Sequence, residues 1–239
     1  MTYSTWQTAL STLTAIPTTN ADFQAILPST IQYAEARCYR ELDLLAEDVR
    51  DSSSATLTGS RNFTLPTALG TFQIISGINI ITPASTAADL GTRNPCTPVS
   101  RDVLDFIYPS VTGSGLPTMF SYFSQASNQT NILLGPWPDA VYTVEVIGKI
   151  IPTPLSSTNT TTFLTQYLGD LFLAASMVYF SGYMKNYGAI SDDPKMAQTW
   201  ENQYQQLKAS ADLWEMRKKF AGASWTSKQP EAAAVPQRG

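Results

Sequence analysis

Apolar residues recur along this chain with two different periods, and the change of period divides it into three stretches. Near the start, Trp6, Leu10 and Leu13 fall on one face of a helix over residues 2–15. Ile16-Pro17 ends it, because proline pushes the residue before it out of helical geometry. Asn20 is placed to cap a second helix with Asp22 in its first turn. Pro28 is expected to interrupt that segment, with a restart at Ser29. Over 29–47 the pattern is strongest: Ile31, Ala34, Cys38, Leu42 and Leu45 recur at steps of three and four and make one apolar stripe. Glu35, Arg37, Arg40, Glu41 and Asp43 are expected on the solvated faces. The run from Glu47 through Ser53 reads as polar linker.

Over 55–160 the period drops to two and turn residues multiply. Residues 55–58 are short and β-prone, and Asn62-Phe63-Thr64-Leu65 alternates until Pro66 stops it. Residues 71–82 are β-branched and aromatic, with Gly77 marking either a bulge or a turn within a hairpin. Ser100 and Asp102 open a short helix over 100–107. Residues 118–125 and 130–134 read as paired strands, and Gly135-Pro136-Trp137-Pro138-Asp139 as a rigid turn. Residues 141–151 are the clearest strand, ended by Pro152 and Pro154.

Helical period returns over 161–187, apolar on almost every face, which predicts a helix buried all round. Gly188 suits its C-terminal cap. Asp192-Asp193-Pro194 starts another helix, which carries Met196, Trp200, Tyr204, Leu207, Ala211 and Trp214 to about Phe220. Residues after Gly222 show no periodicity and are expected to be extended or disordered alone. The class predicted is α+β: a helical bundle built from 1–54 and 161–221, an antiparallel β-rich insertion at 55–160, and an extended tail at 222–239. Few strands are separated by helix, which argues against a doubly wound parallel sheet.

Composition then narrows the function. The chain has 239 residues, a net charge of −4 and no histidine. Charged residues make up 14%, well below the roughly 25% of an average soluble domain, and hydroxyls and amides fill the gap. A surface of this kind repels like partners weakly. Nucleic-acid binding is disfavoured, because phosphate neutralisation needs a basic stripe. The only basic cluster, Arg217-Lys218-Lys219, suits the negative end of a helix. Cys38 sits on an apolar helix face and Cys96 lies between prolines; two cysteines define no disulfide framework, and a reduced setting is expected. The N-terminus has neither a basic nor a long apolar region, and the apolar run 171–180 is too short to span a bilayer.

Without histidine, neutral-pH acid–base chemistry must use other groups. No cofactor motif or metal-ligand set stands out, and Asp192-Asp193 is explained by its helix start. Gly113-Ser114-Gly115 lacks the pattern and the partner of a serine nucleophile and reads as a hinge. Carboxylate pairs for glycoside hydrolysis remain open among Glu35, Glu41, Asp43, Glu47, Asp105 and Glu145. Trp137, with Tyr122, Phe123 and Tyr142, offers rings for sugar stacking, against the alternative of packing a sheet face. A carbohydrate- or receptor-binding module built on the β region and a carboxylate-based glycan hydrolase are therefore two readings carried forward.

One order of elements is recognisable. The helix Ile31-Gln-Tyr-Ala-Glu35-Ala-Arg37-Cys-Tyr-Arg40-Glu41-Leu42-Asp43 comes first, then Phe63-Thr64-Leu65-Pro66. Leu133-Leu134-Gly135-Pro136-Trp137-Pro138 and the strand at 141–147 follow, then the long helix at 164–184 and a polar final helix. This order, over about residues 16–220, resembles the head-to-tail adaptor (connector) proteins of tailed bacteriophages. The resemblance implies a non-enzymatic structural protein made in the bacterial host cytoplasm and placed at the head–tail interface of the virion. It implies a homo-oligomeric, dodecameric ring that docks on the portal protein and receives a tail nozzle or tail tube protein. DNA would pass the lumen without specific binding, and no membrane or cofactor is involved. It also implies that the tail extends along the portal, with Trp225 as apolar anchor beside Lys228, Pro230, Val235, Pro236 and Arg238.

Overall fold

The computed structural model describes residues 1–126, 129–183 and 194–222. Helix α1 (Tyr3–Thr14) starts where Thr2 and Thr5 cap each other: the Thr5 N–H donates to Thr2 Oγ1 at 3.3 Å and the Thr2 N–H to Thr5 Oγ1 at 2.7 Å. Its inner face is Trp6, Leu10 and Thr14, whereas Leu13 is 46% exposed. The Trp6 indole donates to Ser176 Oγ at 3.1 Å and so sets the rotation of the helix. Thr14 can then be buried because its hydroxyl donates to the Leu10 carbonyl at 2.7 Å.

Asn20 caps α2 (Ala21–Glu41) through the Phe23 N–H at 3.0 Å. Pro28 lies inside this helix and does not interrupt it. Pro28 and Gln24 are both exposed, so the Gln24 carbonyl that loses its partner meets water. The helix stops at Glu41, short of the expected 47. Leu42 and Leu44 turn inward, and Leu45 is left 44% exposed.

The polar run expected as linker is a strand. β1 (Asp48–Ala55) pairs antiparallel with β10 (Thr143–Pro152). Most of its serines and charges face solvent at a sheet edge, where polar side chains discourage further pairing. β10 also pairs with β3 (Gly70–Thr82), which pairs with β4 (Thr92–Pro95), giving the order β1-β10-β3-β4. β3 is one continuous strand, so Gly77 marks a bulge: Ile147 faces Gly77 while Gly148 faces Ile75. The glycine that this close approach requires is Gly148, where a Cβ would collide with the Ile74 carbonyl oxygen; Gly77 has open space.

A second sheet joins β2 (Asn62–Thr64), β5 (Thr97–Pro98), β7 (Met119–Ala126) and β8 (Gln129–Gly135) in the order β2-β8-β7-β5. Helix α3 (Arg101–Ile107) is capped by Ser100 and packs beside β7. The expected turn after Gly135 holds a two-residue strand, β9 (Trp137–Pro138), which pairs with β6 (Ser114–Gly115). The β6–β9 and β5–β7 pairings are parallel; the others are antiparallel.

The expected long helix over 161–187 is two helices, α4 (Phe163–Tyr167) and α5 (Gly169–Tyr183), broken at Leu168 before a glycine. Residues 184–187, Gly188 and the helix-start pair Asp192-Asp193 lie outside the described residues. α6 (Pro194–Gly222) runs along α5.

Helices thus combine with antiparallel and mixed sheets in an α+β chain with two cores. One gathers Trp6, Phe23, Leu27, Ala34, Leu164, Leu171, Phe172, Phe180 and Tyr204 from the helices. The other gathers Phe63, Phe72, Ile78, Ile80, Phe120, Ile132, Leu134, Val144 and Val146 from the strands. Among the described residues no helix is long and apolar enough to cross a membrane.

Candidate functional site

The acids singled out in the sequence go to five places, and most are tied down by cations. Arg37, expected in solvent, is only 7% exposed. Its fork donates to both Glu201 oxygens at 2.7 and 2.5 Å and its Nε to Glu41 at 3.0 Å, while the guanidinium lies 3.9 Å from the Tyr204 ring centroid. Lys208 adds a contact to Glu41 at 3.2 Å. Burial alone would raise the Glu41 carboxyl, but Lys208 and Arg37 outweigh it and hold it low; Arg37 does the same to Glu201. This cluster bolts α2 to α6.

Asp43 binds both Lys149 of β10 and Lys219 of α6, which together hold its carboxyl low. One carboxylate therefore joins the exit of α2, the central strand and the end of the last helix. Two of the three cations at 217–219 serve such pairs beyond any helix-end role: Lys219 here, and Lys218, which meets Glu215 at 2.6 Å. Glu145, fully buried, accepts from Asn79 at 2.8 Å and from Arg93 at 3.1 Å. Burial pushes it up, and Asn79 and Arg93 bring it below the usual range. Asp105 meets Arg61 at 2.7 Å and Arg101 at 3.5 Å.

Glu35 and Glu47 differ. Both are buried, against expectation for Glu35, and both flank Tyr39 along an apolar groove between α2 and β10. The deeper part measures about 520 Å³ and is lined by Tyr3, Ile31, Glu35, Tyr39 and Leu155. The Tyr39 hydroxyl there has no hydrogen-bond partner among the described residues. Burial pushes Glu35 up to about 7, partly offset by the Leu155 N–H that donates to it at 2.9 Å. Burial likewise pushes Glu47 up to about 7. A glycoside hydrolase needs one carboxyl protonated and its partner ionised, so environments that differ in sign. Here both acids are driven the same way, and the groove provides no such division.

Stability depends on pH through these acids. The folded carboxyls at about 7 hold protons that an unfolded glutamate, near 4.5, releases. Stability therefore falls as pH rises through that window. The acids held low, Glu41, Asp43, Glu145 and Glu201, act oppositely and lose their contribution as pH falls below about 4. Chemical denaturation is expected to show greatest stability near pH 5 and a loss of roughly 2–4 kcal/mol by about pH 8. Glu35→Gln, which keeps an acceptor for Leu155, is expected to flatten that slope. A flat profile in the parent protein contradicts the burial of both acids.

The aromatic candidates do not form one platform. Tyr142 is buried and its hydroxyl donates to Asp139 at 2.7 Å. Trp137 is half-buried; its indole donates to the Tyr108 carbonyl at 3.3 Å, with the Arg61 guanidinium 5.5 Å from its ring centroid. Tyr122 and Phe123 are each about half exposed, the first bonded to Ile75 and the second under Arg101. Ser114 and Gly115 are strand residues paired with Trp137 and Pro138, with no catalytic partner among the described residues. Cys38 and Cys96 are both free and buried, and burial pushes both thiols up to about 12, so neither is a bridge nor a ready nucleophile. Among the described residues no group of three or more cysteines and acids is placed to hold a metal. The tail residues Trp225, Lys228, Pro230, Val235, Pro236 and Arg238 lie outside the described residues.

What sequence reading missed is an uncovered apolar surface. Leu213, Trp214 and Met216 of α6 are 49–63% exposed, and Tyr167 of α4 is 69% exposed. On α3, Phe106 is 87% exposed, flanked by Val103 and Ile107 at 45% and 44%. The signal is partly in the chain: Leu213 and Met216 fall on the side of the helix away from Tyr204 and Ala211. Helical spacing alone counts Trp214 with the core, and the structure puts it outside.

A chain with paired internal charges, unreactive thiols and large uncovered apolar faces is built to contact other proteins. Its class is that of the phage adaptor proteins. The family model for the SU10 adaptor protein matches residues 1–227, and the chain belongs to that family. No curated protein matches it.

Proposed function

We propose that this protein is a structural virion component that forms an adaptor ring between the portal and the tail of a bacteriophage. The observation that carries the reading is the family match over 1–227. In this reading copies of the chain close into a ring of about twelve by family analogy, dock on the portal and receive the tail nozzle or tail tube, with DNA passing the lumen. The helices within 1–54 and 161–221 act as the bundle and 55–160 as the inserted β-rich part, which β1 (Asp48–Ala55) joins. The net charge of −4 suits a conduit, since a channel wall should not hold its cargo. The fixed internal ion pairs leave the surfaces, not a reaction centre, as the working parts.

Native mass measurement with and without the cognate portal tests this reading. A symmetric multimer is expected, at the latest when portal is present. A chain that stays monomeric in both conditions overturns it.

The tail is assigned a docking role on the portal, through Trp225, Lys228, Pro230, Val235, Pro236 and Arg238. A segment that orders only on binding covers much surface at an entropic cost. Removing residues 222–239 is expected to leave the thermal melt of the remaining chain within about 2 °C, because no described core residue is lost. Attachment to portal, measured by co-sedimentation, is expected to fall by at least about tenfold, or roughly 1.4 kcal/mol. Unchanged attachment removes the docking role.

A further inference from the structure

The outward face of α6 changes character along its length. Its exposed positions include first Gln198, Asn202, Gln203, Gln205 and Gln206, then Leu213, Trp214 and Met216, with Arg217 among them. A helix that faces water throughout keeps a polar outer face. The last turns are thus shaped for a cover. They border a cleft of about 250 Å³ lined by Tyr167, Leu171, Leu213 and Trp214, with Arg217 and Asp170 as its charged groups.

The chain carries a matching convex feature. On α3, Phe106 projects almost fully into solvent, with Val103 and Ile107 beside it and Leu104 buried on the opposite side. Asp102 stands one turn before Phe106, and Arg217 stands one turn after Leu213. Among the described residues neither Asp102 nor Arg217 forms an ion pair, although their neighbours Asp105 and Lys218 do. Among the described residues, one surface is a knob with an unpaired acid; the other is a cleft with an unpaired base, Arg217, and with Asp170, whose carboxylate accepts from the Leu171 N–H at 2.8 Å. The cleft lies on the helical core, whereas α3 packs beside β7 of the second sheet.

We infer that α3 of one copy seats Phe106 in the α4–α6 cleft of the next copy, with Asp102 meeting Arg217. Two different, complementary patches on one chain make a head-to-tail contact, the kind that propagates around a ring; a face that paired with itself would stop at a dimer. Such a contact has an aromatic anchor in a pocket and a charged rim, the usual anatomy of an interface centre. The inference rests on the ring reading above and names the contact that builds the ring.

Cysteine cross-linking tests it, because Cys38 and Cys96 are buried and do not compete. The double variant Asp102→Cys with Arg217→Cys, oxidised under assembly conditions with portal present, is expected to give a ladder beyond dimer. An equal mixture of the two single variants should stop at dimers, and each single variant alone should give none. Charge reversal provides a second measurement: Asp102→Arg or Arg217→Asp should each weaken assembly roughly fivefold to tenfold, and the two together should restore it. Rings of normal mass without the mixed cross-link overturn the contact but leave the ring reading standing. Dimers formed by the Arg217→Cys variant alone also overturn it, because the cleft then meets its own counterpart. So does a thiol in the Arg217→Cys variant that becomes reactive to maleimide only when residues 223–239 are removed, because the chain's own tail is then the cover. Parent protein that never assembles overturns both the contact and the ring.

Discussion

Leu171→Asp is expected to eliminate soluble protein. Leu171 is 1% exposed in α5, packed within the helical core beside Phe172 and Ala175. The change removes roughly 2 kcal/mol of apolar burial and leaves a carboxylate unpaired in that core. Together these cost on the order of 5 kcal/mol, comparable to the whole stability of many domains. Leu171→Ala is the control: a cavity costs about 2–4 kcal/mol and the fold survives with a lower melting temperature. Soluble yield and near-ultraviolet circular dichroism of the two variants check this. Normal yield of the aspartate variant would mean that α5 is not core.

Arg37→Ala has the second largest effect. The guanidinium satisfies Glu201 and Glu41 at once and lies against the Tyr204 ring. Removing it leaves Glu41, half-buried, with Lys208 as its remaining cation and Glu201 with none of the bidentate contact. A broken pair of this kind costs about 3–5 kcal/mol. Lysine cannot reproduce a planar fork, so Arg37→Lys should still cost about 1–2 kcal/mol. Because Arg37 is buried, both differences should change little between low and moderate salt. Urea denaturation at two ionic strengths checks it, and a cost below about 1 kcal/mol for alanine contradicts the role given to the cluster.

Arg37 also shows where sequence reasoning stops. Its position on α2 was legible, as was the stripe of Ile31, Ala34 and Cys38 that is buried as expected. Its burial was not, because that depends on Glu201, which lies far along the chain and meets it only after α6 packs on α2. The same holds for Glu35, whose partner is the Leu155 backbone, and for Leu13, which loses its inward place once Trp6 finds Ser176. The polar run at 48–55 reads as linker because edge strands are selected to look unlike strands. Pro28 misleads because a single missing hydrogen bond is tolerated where water replaces it.

The site divides in the same way. That the chain lacks histidine, carries few charges and spaces its elements like an adaptor could be read directly from residue order. That Phe106 and the end of α6 stand uncovered could not. Exposure is a property of what fails to arrive from elsewhere in the chain, and local periodicity records only which side a residue takes on its own helix or strand.

By itself the sequence determined the caps at Asn20 and Ser100, the period of most elements and the α+β class, because those follow from forces between near neighbours. Only the tertiary structure decided which charges are buried in pairs, where Gly148 lets two strands approach, and which apolar faces are left for a partner. The reason is that desolvation and close packing act between segments distant in the chain, and their outcome depends on how those segments come together in space.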